Sequence, residues 1–185
     1  ATMYVYGNDA TDKVVYSHGL ATAAAVDMTL VLTLGTNASL SGAEIVTDNL
    51  YFQVEDTDTD ENDEKVMKSI AGALATEVQD SGNASFASDV TFVPAATYMY
   101  MHGNDATDQV VYAHTGAAAT DASLVMAMGA NATLRSGEVL GDTYYFQVED
   151  TDDDENDQYV MKSIDGGTAD EILDESSSSF TENAE

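Results

Sequence analysis

The chain has 185 residues, with 34 acidic side chains against 5 Lys and Arg, a formal net charge of -29, no Cys, no Trp and one Pro. Without Cys there is no disulfide framework, zinc-finger site or cysteine nucleophile, and the charge excludes direct nucleic-acid binding, which needs clustered Lys and Arg against phosphate. No apolar run approaches the ~18 residues of a membrane-spanning helix, and no basic segment leads into an apolar one at the start, so a secretion signal is absent or already removed.

Hydrophobic residues make up 44% of the chain. They fall in short alternating runs with the acids between them, which is the pattern of a folded β-rich protein with charged loops and not of a disordered chain. Met3 to Tyr6 reads as a strand by its aromatic and β-branched content. Gly7 to Asp12 supplies turn residues, and Val14 to Tyr16 a second strand, so the first segment is a hairpin. From Asp27 to Gly35 the alternation is clean. Met28, Leu30, Leu32 and Leu34 share one face and Thr29, Val31 and Thr33 the other, as in a half-buried strand. Leu50 to Val54 is the next strand. Beyond it the acidic run Glu55 to Glu64 leads into a predicted helix over about 60–78. Val66, Met67, Ile70, Ala73 and Leu74 lie on one helical stripe there, and acids crowd the first turn, where the helix dipole favours them.

The same elements then recur. Residues 3–18 and 99–114 agree at 12 of 16 positions, and residues 51–71 and 145–165 at 17 of 21. The period of about 95 residues is too long for a solenoid repeat of ~20–50 residues. It predicts two copies of one small α+β, β-rich domain, each made of several antiparallel strands plus one helix, over 1–90 and 95–185. Residues 91–94 form the connector. Pro94, the only proline, holds the residue before it extended. The second helix is predicted over about 154–173, shortened because Gly166 and Gly167 fall inside it. The last residues are expected to fray.

Asp56, Asp58 and Asp60 alternate, and so do Asp150, Asp152 and Asp154. Oxygen ligands at alternate positions suit the start of a calcium loop. The EF-hand pattern fails, because Glu61 and Met67, then Glu155 and Met161, stand where Gly and Glu are required. Two readings stay open: a looser calcium site, or a solvated loop carrying charge to a helix start. His18 and His114 are repeat equivalents, and His102 replaces Tyr6. All three are expected to be structural, because no nucleophile motif, phosphate loop or dinucleotide fingerprint accompanies them. No catalytic residues are assigned, and calcium is the one cofactor the residues suit. Asn37, Asn83 and Asn131 each head an Asn-x-Ser/Thr triplet, a weak glycosylation signal. Tyr4, Tyr6, Tyr98 and Tyr100 cluster at the unit starts, either as interface anchors or as core and cross-strand packing. The charge itself points to saline surroundings, where a shorter Debye length relieves self-repulsion.

Ala1-Thr2-Met3 opens the chain as if an initiator Met had been removed. The strands, the acidic turn and the Val66–Leu74 segment sit in an Ala/Thr/Asp-rich sequence. Together they resemble the small structural proteins of marine tailed phages, including those that decorate the head. The resemblance lies over Tyr51–Leu74 and Tyr145–Ile164. It implies a non-enzymatic virion component partnered by other structural subunits, either the capsid shell or copies of itself, and it brings no functional residues with it. Two other functions fit the residues. One is a self-assembling extracellular filament or surface-layer subunit joined by strand addition. The other is a calcium-dependent adhesion or binding module.

Overall fold

A computed structural model describes residues 1–10, 12–20, 28–34, 37–56, 64–79, 88–105, 108–116, 121–150 and 157–173. In the first unit, β1 (Thr2–Asp9), β2 (Asp12–Gly19) and β3 (Thr29–Leu34) form an antiparallel meander. A second meander follows: β4 (Ala38–Val46), β5 (Asn49–Asp56), β6 (Glu64–Ile70) and the short β7 (Thr76–Glu77). The second unit repeats both. Its first sheet is β9 (Tyr98–Asp105), β10 (Asp108–Thr115) and β11 (Ser123–Gly129), preceded by an added edge strand, β8 (Ser88–Pro94). Its second sheet is β12 (Ala132–Leu140), β13 (Thr143–Asp150), β14 (Asp157–Ile164) and β15 (Asp170–Glu171).

The described residues are therefore all-β, and the expected α+β class is wrong. Where helices were predicted over 60–78 and 154–173, the described parts are β6–β7 and β14–β15. The reason is burial on both faces of one sheet. Val66 points into one core and Met67 packs against another. A strand covered on both sides loses its period of two and imitates a helical stripe. A buried Lys68 at an inward position hides the alternation further. Ala71-Gly72 and Asp165-Gly166 form the turns after β6 and β14, all four with positive φ. A Cβ on Gly166 would come within 2.6 Å of the Tyr98 ring, so at this left-handed position glycine is required twice over.

Among the described residues, three cores separate four sheets. Val15 and Val31 of the first sheet meet Leu50 and Phe52 of the second. Val46, Tyr51, Val66 and Val78 of the second meet Met99, Met101, Val110 and Tyr112 of the third, joined by Val90 and Phe92 of β8. Tyr100, Val111 and Val125 of the third meet Tyr144, Phe146 and Met161 of the fourth. The first and third cores are repeat copies of one sandwich. The middle core is the seam between the units.

The segment expected to be a connector is thus a strand with two roles. β8 pairs with β9, through Thr91–His102 and Val93–Tyr100 among others, and packs over β4 of the first unit. The Val90 N–H donates to Gln53 Oε1 at 2.9 Å, and a backbone bond from Ala122 N–H to Gln79 O (2.7 Å) also crosses the seam.

Each sandwich is closed by one tyrosine. The Tyr4 hydroxyl donates to Asp48 O (2.8 Å) and accepts from Gly72 N–H (3.0 Å). Tyr100 does the same with Asp142 O (2.7 Å) and Gly166 N–H (3.1 Å). A phenol that spends its hydrogen and a lone pair on the backbone of two turns is a cross-sheet tie. That decides between the two readings of Tyr4 and Tyr100: they hold the fold.

Candidate functional site

The most concentrated chemistry among the described residues lies in the seam. Tyr51 on β5, Lys68 on β6 and His114 on β10 are all buried. Lys68 Nζ lies 2.7 Å from His114 Nε2, and the Tyr51 hydroxyl 2.8 Å from Nδ1. A lysine nitrogen has N–H groups to give, so Nε2 accepts, the ring proton sits on Nδ1, and Nδ1–H donates to the tyrosine oxygen. The Tyr51 and His114 rings meet edge-on, with centroids 5.6 Å apart and planes at 67°. Burial pushes the Lys68 ammonium below the usual lysine range, and the Asp121 charge acts against that fall. Burial pushes the Tyr51 phenol well above its ordinary value. Both shifts favour the neutral forms, so the trio is a hydrogen-bonded relay closed inside an apolar core. Its two halves come from different units, and such a network fixes how one sheet registers on the next.

Asp56 ends β5 opposite Ala38, and Asp150 ends β13 opposite Ala132. Asp58, Asp60, Asp152 and Asp154 lie outside the described residues. The acidic runs join β5 to β6 and β13 to β14, so the role given them as charge at a helix start does not hold. Among the described residues, no group of three His, Asp or Glu side chains is placed to hold a metal ion. Asn37 and Asn131 sit exposed at the turns before β4 and β12, and Asn83 falls outside the described residues. His102 faces Val111 and Thr91 across its neighbouring strands. Its Nε2 is buried with no hydrogen-bond partner. Burial holds its pKa below the ordinary histidine value, and a hydrogen bond that the ring donates to the Gln109 side chain acts the other way.

The trio carried a sequence signal that composition alone does not reveal. Tyr51, Lys68 and His114 are each retained in the other copy, as Tyr145, Lys162 and His18. A lysine kept inside an apolar strand with a tyrosine and a histidine kept beside it is a pattern of buried pairing, but the partners are 46 and 63 residues apart in the chain. No protein-family model and no curated protein matches the chain.

Proposed function

We propose that the chain is a non-enzymatic structural subunit that works in saline surroundings by binding other protein subunits. The observation that carries this reading is the seam. The buried tyrosine, lysine and histidine and a shared apolar core are spent on locking one β-sandwich to the next. The style of the sequence favours a virion head, with this protein as a decorating or stabilising subunit. The open outer sheets favour a second reading, a self-assembling filament or surface layer, because Met3, Leu140 and Tyr145 stand exposed there.

Negative-stain microscopy of the purified chain, alone and mixed with undecorated capsid shells of a marine tailed phage, separates the two. Particles bound to shells support decoration, and fibres without shells support the filament. A chain that coats nothing and stays dispersed refutes both.

A further inference from the structure

The seam is an asymmetric contact. The outer face of one unit's second sheet meets the outer face of the next unit's first sheet. Because the two units are repeats of one sequence, each end of the chain displays a related copy of one half of that contact. On the second sheet, Val46 (2% exposed) and Tyr51 (0%) are buried in the seam, and their counterparts Leu140 and Tyr145 are 75% and 36% exposed. On the first sheet, Met99 is fully buried and its counterpart Met3 is 42% exposed. The polar trio divides in the same way. Tyr145 and Lys162 lie on the free sheet of the second unit, and His18 on the free sheet of the first. The place where β8 seats on the first unit also has an open copy. In the first unit a Cβ at Gly42 would lie 3.6 Å from the Phe92 ring. In the second unit Ser136, which pairs with Gln147 as Ser41 pairs with Gln53, lines a groove of about 230 Å³ beside Gln147 and Val160.

We propose that a second copy of this chain docks head to tail on these faces. Leu140 and Tyr145 of one copy pack against Met3 of the next, and Tyr145 and Lys162 rebuild the trio with its His18. The proposal rests on the structural-subunit reading and names its partner. A contact between two different faces does not close on itself, so copies add in a line. The contact between copies is weaker than the internal seam, which has β8 and a covalent tether that raises effective concentration.

The test is sedimentation velocity of the 185-residue chain in salt of about 0.5 M, where self-repulsion is screened. Mass should rise with concentration without stopping at a dimer. Leu140→Asp and Met3→Asp change exposed side chains at opposite ends, and circular dichroism checks that each still folds. Each variant alone should remain monomeric, because one of its faces is blocked. An equimolar mixture should form a heterodimer and go no further, because one good face of each kind remains. A wild-type monomer at about 1 mM, a closed dimer, or growth that either variant leaves intact overturns the proposal. A monomer that still coats capsid shells overturns the head-to-tail contact and leaves the structural reading standing.

Discussion

Replacing His114 with leucine tests the seam most directly. The imidazole is buried and bonded on both nitrogens, to Lys68 and to Tyr51. Leucine removes the acceptor from a buried lysine nitrogen and the donor from a buried phenol. Each lost partner leaves a desolvation cost of about 1–3 kcal/mol, so with two neutral groups stranded His114→Leu should cost about 2–6 kcal/mol. Replacing the whole trio together (Tyr51→Phe, Lys68→Met, His114→Leu) removes the stranded groups as well and should cost about 1 kcal/mol or less. The repeat supplies a control: His18→Leu, at the same place on the free sheet, should change stability by no more than ~0.5 kcal/mol. Urea denaturation in high salt, followed by tyrosine fluorescence and circular dichroism together, gives the three values. If His114→Leu is as mild as His18→Leu, or if the triple variant is as damaging as the single one, the trio does not lock the units.

Four further outcomes follow from the same structure. His102 has a depressed pKa in the fold, so its stabilising contribution is present above the unfolded value near 6.5 and is lost as pH falls below it. His102→Tyr, the residue at the same place in the first unit, should flatten the melting-temperature profile between about pH 7 and 5, and an unchanged slope would clear His102 of the effect. At the alkaline end Tyr144 is pushed up to about 12 by burial, so its stabilisation holds below pH ~10 and fades above it. The 295 nm absorbance should show this phenol and the buried Tyr51 titrating after the exposed ones and together with unfolding, and Tyr144→Phe should shrink that late step by one phenol. Thr47, a β-branched residue at φ 56° in the β4–β5 hairpin, stands where the second hairpin has Gly141 at φ 67°. Thr47→Gly should stabilise by about 1 kcal/mol, read as a shift of about 2–4 °C in melting temperature, and a fall would show that the threonine is not strained. Finally, with a net charge of -29, the melting temperature should climb from low salt to half-molar salt, and a flat response would contradict self-repulsion.

The parts of the fold that could be read from sequence are those with one buried face. β1, β2 and β3 show themselves as strands in Tyr4, Val15 and the Met28–Leu34 run, but the expected face of β3 is wrong: Met28 and Leu30 are exposed, Leu32 and Leu34 are covered, and Val31, expected on the other face, is fully buried where the pairing with β2 shifts register between Val15 and Tyr16. The repeat itself was visible because identity was kept at positions that have a structural job: the Tyr4 and Tyr100 ties, the Gly72 and Gly166 turns, and the trio. β6 and β14 were misread because Val66, Met67 and Ile70 satisfy a helical stripe as well as a strand buried on both sides, and local propensity does not choose between them. Only the second layer of sheet, supplied by residues more than 40 positions away, decides the matter. The seam was hidden for the same reason. Lys68 is unremarkable in a charged chain until His114 is placed 2.7 Å from it.

Duplication explains why a strongly acidic chain keeps apolar sheets on its outside. A single unit of this kind would carry two sticky faces, the Met3 face and the Tyr51 face, and in a dilute solution both would remain in water. Joining two units satisfies one face of each at high effective concentration, and the -29 charge then works against indiscriminate contact at the two faces that are left. Charge repulsion is long-ranged at low salt and falls away within a Debye length, whereas apolar burial acts only at contact. A surface built this way resists association in dilute medium and admits it in brine. Only a partner whose shape buries Leu140 and Tyr145 as completely as the seam buries Val46 and Tyr51 recovers enough apolar area to offset the charge. The first sheet of the second unit buries Val46 and Tyr51 in this way, and the free copy of that surface is the first sheet of the first unit.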